Sequence, residues 1–214
     1  TGSYDHRIVR QVTGHLETLL SGVLSDPALI IAEVDLLSHQ EKQKILLDFN
    51  NTGESFPLDG GVDLLFSQQA ERTPQNEALV CRDQRLTYME LEHAANRWAR
   101  VLIERGAQNG SIVGVLVESS IERVVALLAI LKTGAAYLPL DPSYPSERIR
   151  FMLADSSAAL LLSTRALADR MAVSVENVLL MDEPYEPTSN GTIPGSPRDV
   201  AYVIYTSGST GNPK

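Results

Sequence analysis

The run Ile112-Val113-Gly114-Val115-Leu116-Val117 is the most restrictive stretch of this 214-residue chain. It holds no polar side chain, and most of its residues are β-branched, so it predicts a strand buried on both faces. Shortly after it, Ile121 to Lys132 is apolar on nearly every side, which predicts a deeply buried helix, with Gly134 placed to end it. A two-faced strand beside a buried helix needs covering layers above and below. The neighbouring sequence supplies them. Leu64, Leu65 and Phe66 lie in a short predicted helix that ends near Thr73-Pro74, and Glu77 to Cys81 and Gln84 to Leu86 read as strands around a turn at Arg82-Asp83. Thr87 with Glu90 forms a capping box that opens a long helix closed by Gly106. Helices near Ser146 to Leu153 and Thr164 to Met171 alternate with strands at Ala159 to Leu162 and Val178 to Met181. Glu183 to Arg198 is rich in Pro, Ser, Thr and Gly and reads as a surface loop, and Asp199 to Tyr205 reads as a final strand. Strands separated by helix-length patterns predict an α/β fold with a largely parallel sheet.

The first 50 or so residues follow a different pattern. Ile8, Val9, Val12, Leu16, Leu19, Leu20 and Val23 recur at three- and four-residue steps, as on one face of a helix. Asp26-Pro27 breaks it, and a short apolar run follows from Leu29 to Val34. Ser38 and Glu41 make another capping box, opening a helix that carries Ile45, Leu46 and Phe49. Asn50-Asn51-Thr52-Gly53 ends that helix. The division expected is therefore a mainly helical piece over 1–50, a linker over 51–61 and an α/β portion over 62–214.

Composition narrows the function. The net charge of −9 carries no basic cluster, which excludes nucleic acid as the expected partner because neutralising phosphates along a strand needs grouped Lys and Arg. Cys81 is the only cysteine, so no internal disulfide forms, and its apolar surroundings predict a small buried core residue. No apolar run approaches a membrane span, and the start lacks both Met and the apolar core of a signal peptide; the chain is expected to be a cytoplasmic excerpt of something longer. His6, His15, His39 and His93 are not adjacent to one another, no metal-ligand cluster is visible, and no catalytic residue is assigned.

Chemistry concentrates at Tyr205-Thr206-Ser207-Gly208-Ser209-Thr210-Gly211-Asn212-Pro213-Lys214. A strand leads directly into two glycines, four hydroxyl side chains and a lysine. Glycines let backbone N–H groups approach an anion, hydroxyls add donors, and Lys supplies a compact positive charge. Thr206, Ser207, Gly208, Ser209, Thr210, Gly211 and Lys214 are the candidate ligand-binding residues. The spacing fits neither a Walker A loop nor a dinucleotide fingerprint. A flexible Ser/Gly linker is the alternative that composition alone allows.

The order of residues from Asp199 to Lys214 resembles the phosphate-loop signature of the adenylate-forming enzymes. Leu131-Lys132-Thr133-Gly134-Ala135-Ala136-Tyr137-Leu138-Pro139-Leu140-Asp141-Pro142, with Tyr144-Pro145-Ser146-Glu147-Arg148-Ile149 after it, is similar to the second core motif of peptide synthetase adenylation domains. Leu86-Thr87-Tyr88-Met89-Glu90-Leu91, with Asn96 and Leu102 beyond, is similar to the first. Leu36-Leu37-Ser38, Glu41 and Phe49-Asn50-Asn51-Thr52 resemble the end of a condensation domain at its junction with an adenylation domain. The resemblance implies a partial adenylate-forming N-terminal subdomain behind a condensation-domain tail. It also implies ATP with Mg²⁺, an amino acid substrate, and neighbouring condensation and carrier domains, the latter bearing a phosphopantetheine thiol outside this chain. The family's ribose-binding Asp, amino acid pocket and C-terminal catalytic Lys are expected after Lys214, and the paired His of a condensation site before Thr1, so the chain by itself is expected to be inactive. Two other readings stand beside this one: a non-catalytic docking or linker piece, and another adenylate-forming ligase such as an acyl-CoA synthetase.

Overall fold

A computed structural model describes residues 5–28, 30–54, 60–171, 177–187, 196 and 198–206. The chain divides into two compact units, Thr1–Phe56 and Pro57–Lys214.

In the first unit, α1 (His6–Ser25) starts at Asp5, whose side chain accepts a hydrogen bond from the Arg7 N–H. The capping box read from the sequence is present at α2 (His39–Gln43): Ser38 Oγ accepts from Glu41 N, and the Glu41 carboxylate accepts from Ser38 N. Those contacts with Ser38, backbone first and then hydroxyl, hold the Glu41 carboxyl below its ordinary range, with help from His15. Helix α2 continues as a π-helical turn, Lys44–Asp48. His15 Nε2 lies 3.0 Å from Glu41 Oε1, tying α1 to α2. The apolar stripe of α1 is mostly open to solvent within this unit, with Ile8, Val12 and Leu16 all more than half exposed.

The second unit is an α/β layer structure. After α3 (Val62–Arg72) come β1 (Glu77–Cys81) and β2 (Gln84–Thr87), an antiparallel pair of their own. Arg82 turns between them at a φ of 55°. The capping box of Thr87 and Glu90 opens α4 (Tyr88–Glu104), and Gly106, at a φ of 93°, follows its end. The main sheet has the order β4-β3-β5-β6, all parallel. Its strands are β3 (Ile112–Leu116), β4 (Ala136–Pro139), β5 (Leu160–Ser163) and β6 (Val178–Leu180). The connecting helices are α5 (Ile121–Leu131), α6 (Ser146–Asp155) and α7 (Arg165–Met171).

Strand alternation divides the interior in two. Val113, Val115, Leu160, Leu162 and Leu179 pack with Trp98, Leu102, Ala126 and Ile130 of α4 and α5. Leu116, Leu138 and Leu161 pack with Ile149, Met152 and Leu153 of α6 and Leu167 of α7. The β3 run is thus covered on both faces, as its composition requires. Gly114 sits where the second core closes tightly: a Cβ there would lie 2.8 Å from Leu153 Cδ2 and 2.9 Å from Leu161 Cδ1. Both neighbours are buried, so Gly114→Ala is expected to cost about 1–3 kcal/mol by overpacking. Urea unfolding of the chain checks it, and an unchanged midpoint would contradict the packing.

Two expectations are corrected. Asp199 to Tyr205 is not a full strand: one parallel bridge joins Tyr202 to Tyr137. The β4 partner is only four residues long, and it offers this segment a short edge. Cys81 is not buried but partly exposed. It ends the first strand of a hairpin whose two strands pair with each other and not with the main sheet, and its Sγ approaches the Ser119 carbonyl at 3.9 Å.

Candidate functional site

The segment that leads into the glycine- and hydroxyl-rich sequence lies along β4. Tyr137 N donates to the Ala201 carbonyl at 3.1 Å, and Val203 N donates to the Tyr137 carbonyl at 3.0 Å. The rings of Tyr137 and Tyr202 stand 5.7 Å apart. Burial, with the neighbouring Tyr202 phenol, pushes the Tyr137 hydroxyl above its ordinary pKa. Asp199 Oδ2 accepts from Ser196 N at 2.7 Å, fixing the approach to the bridge. Alternation sets the rest: Val200, Tyr202 and Ile204 are exposed, and Val203 and Tyr205 pack on the second core.

Because the bridge is parallel, the segment leaves the sheet at the edge where β3, β4 and β5 also end. In open α/β sheets that carboxyl edge is where ligands bind. It gathers Glu118 and Ser119 after β3, Asp141 to Ser143 after β4, and Thr164 after β5. A cleft of about 520 Å³ there is lined by Glu118, Ser119, Arg123, Asp141, Ser143 and Arg170, among others. Its charges are balanced, two carboxylates against two guanidiniums. The Ser143 N–H donates to Asp141 Oδ1 at 2.8 Å and, with Arg123 nearby, holds that carboxyl low. Arg170 Nη2 donates to the Pro142 carbonyl at 3.0 Å, which braces the loop after β4.

Of the residues the sequence singles out for binding, Thr206 is placed at this edge and exposed. Ser207, Gly208, Ser209, Thr210, Gly211 and Lys214 lie outside the described residues. No group of three or more His, Cys, Asp or Glu that could hold a metal ion gathers among the described residues. His15 pairs with Glu41, and His93 is exposed on α4. None of the described helices is long and apolar enough to cross a membrane.

Sequence reasoning missed Tyr205. Its hydroxyl donates to Asp155 Oδ2 at 2.5 Å, and its ring meets Phe151 edge-on, with centroids 6.4 Å apart. The inward position of Tyr205, two residues after Val203, was the available signal; the partner 50 residues earlier in the chain was not.

A parallel sheet clothed by helices on both faces, with a hydroxyl- and glycine-rich sequence starting at its carboxyl edge, is what a nucleotide-handling α/β enzyme presents. The chain belongs to the AMP-binding enzyme family, whose model matches residues 66–214. Over 99% of its length it is 41% identical to Tyrocidine synthase 3 of Brevibacillus parabrevis, of which it covers 3%. It is 39% identical to Surfactin synthase subunit 2 of Bacillus subtilis (strain 168), with 99% of this chain and 6% of that protein covered. The crystal structure of the nonribosomal peptide synthetase FmoA3 in its AMPPNP-bound form superposes with a TM-score of 0.75 at 33% identity, covering 97% of this chain and 23% of that one. The N-terminal subdomain of Klebsiella oxytoca NpsA, in complex with 3-hydroxybenzoyl-AMSN, gives a TM-score of 0.62 at 29% identity over 72% of this chain and 40% of that one. The chain therefore spans a small part of the relatives it matches, and its resemblance is to the peptide synthetase branch of the family.

Proposed function

We propose that the chain is part of a nonribosomal peptide synthetase module that activates an amino acid with ATP as an aminoacyl adenylate. The aminoacyl group then passes to a phosphopantetheine thiol on a carrier domain. The observation that carries this reading is the parallel bridge of Tyr202 to β4, which brings Thr206 to the carboxyl edge of the sheet, the edge where ligands bind in open α/β sheets. Support also comes from FmoA3, whose structures are described as AMPPNP-bound and α-methyl-L-serine-AMP-bound. Residues 1–50 are assigned to the end of a condensation domain, 51–61 to a linker and 62–214 to the N-terminal part of the adenylation domain. The AMP-binding model over residues 66–214 and a similarity to a synthetase that continues beyond it over nearly the whole chain are compatible with this division, and the open apolar side chains of α1 need a covering surface. A cytoplasmic location goes with this reading.

The donor set fits a polyphosphate. Thr206, Ser207, Ser209 and Thr210 bring hydroxyl donors, Gly208 and Gly211 leave backbone N–H groups unscreened by a Cβ, and Lys214 brings a full charge. Their task is to hold the β- and γ-phosphates while pyrophosphate leaves, which is positioning and charge stabilisation. ATP supplies the activated α-phosphorus that the amino acid carboxylate attacks. Mg²⁺ would be met mainly by phosphate and water oxygens.

The test is pyrophosphate exchange by the synthetase that carries this chain, with amino acids in one arm and fatty or aryl acids in the other. Exchange with an amino acid and not with the other acids is expected. Exchange confined to fatty or aryl acids would move the protein to another adenylate-forming ligase. No exchange in either arm would leave the docking or linker reading standing.

A further inference from the structure

We infer that Tyr205 and Asp155 form a positioning pair that sets where the phosphate loop leaves the sheet. The inference rests on the proposed role of Thr206 to Lys214 and goes beyond it by assigning a task to two residues outside the loop. Main-chain bonds to Tyr137 hold the segment at Ala201 and Val203. Two residues later the Tyr205 ring packs on the second core and against Phe151, and its hydroxyl reaches Asp155 Oδ2. Asp155 is the last residue of α6, whose Ile149, Met152 and Leu153 are anchored in that same core. The pair therefore joins the residue immediately before Thr206 to a fixed helix end.

The chemistry suits a fixed tether. The phenol is pushed up to about 12, by burial first and by the Asp155 carboxylate next, so it remains a proton donor throughout the working range. A hydrogen bond to a charged acceptor is stronger and more directional than a neutral one. Ring packing alone would hold Tyr205 in place, and the hydroxyl adds an orientation. A loop whose first residue shifts presents its donors out of register with the phosphates, and small misplacements are costly in a positioned site.

The experiment uses the intact synthetase and measures exchange kinetics with ATP and amino acid varied separately. Tyr205→Phe, which keeps the ring, and Asp155→Ala are each expected to raise the ATP KM about three- to tenfold. The amino acid KM should stay within about twofold and the melting temperature close to that of the parent. Asp155→Asn, which retains an acceptor for the phenol, should lie nearer the parent than Asp155→Ala. The double variant should be no worse than the larger single one, because both remove the same contact. Lys214→Ala is the control for the loop itself. If it raises the ATP KM while Tyr205→Phe and Asp155→Ala do not, the pair has no positioning role and the loop assignment stands. If Tyr205→Phe and Asp155→Ala lower the melting temperature and the active fraction at constant ATP KM, the contact is structural only and the inference fails. If Lys214→Ala leaves the ATP dependence unchanged, the loop assignment fails and the pair falls with it. Should Asp155→Ala not fold, Tyr205→Phe decides alone.

Discussion

Lys214→Ala in the intact synthetase is expected to lower kcat/KM for ATP by about 10- to 150-fold, the worth of one charge-assisted hydrogen bond of about 1.5–3 kcal/mol. The lysine closes a sequence of hydroxyls and glycines, and in the proposed role its charge would meet a polyanion. Gly208→Val and Gly211→Val should do at least as much harm. A branched Cβ would stand between the backbone N–H groups and the phosphates, and it disfavours any positive φ. The amino acid KM and the order of preferred amino acids should hardly move, because the family resemblance puts that pocket after Lys214. Exchange kinetics with each substrate varied in turn give the answer. An unchanged ATP dependence for Lys214→Ala, or a changed amino acid preference, would remove this sequence from the phosphate site.

The second large effect concerns stability. Lys132, just past the end of α5, donates from Nζ to Glu92 Oε1 on α4 and to Ser67 Oγ on α3, each at 2.8 Å. Ser67 Oγ and Asn96 Nδ2 donate to the same carboxylate oxygen. The Lys132 and Glu92 side chains keep only 10% and 16% of their exposure, so solvent screens them little. Lys132→Ala leaves a carboxylate without its counter-charge among three packed helices. The expected loss is about 3–5 kcal/mol. Replacing both partners, Lys132→Met with Glu92→Leu, should cost distinctly less, since no charge is then stranded. Urea unfolding of the single and double variants measures the difference. A single variant no worse than the double would show that the pair contributes only its packing.

What could be read beforehand follows from the range of each interaction. The capping boxes at Ser38 and Thr87 involve residues three apart, and the sequence displays both partners together. Gly106 and Gly134 mark helix ends for the same reason, and both have positive φ. The two-faced burial of β3 was legible because its composition has no polar side to offer. The segment Asp199 to Tyr205 misled, since its alternation is that of a strand but the number of ladder bonds depends on a neighbour more than 60 residues away. Cys81 misled because local apolarity does not say whether a hairpin joins the main sheet. The Lys132–Glu92–Ser67 cluster and the Tyr205–Asp155 contact bridge 40 to 65 residues, and nothing local announces either. At the site, the residue types proposed for phosphate contact were legible, but the edge at which they begin required the bridge to Tyr137.

The division of the interior by the sheet bears on how such a chain can change over time. The two sets of buried side chains have no member in common, and the sheet stands between them as a septum. A volume lost at Leu102 or Ile130 can be made good only by residues on its own side, such as Val113 or Leu160. Compensating substitutions should therefore travel in two separate company lists, one for each face. Gly114 belongs to the second of these lists: its missing side chain gives Leu153 and Leu161, both on that face, the room they occupy.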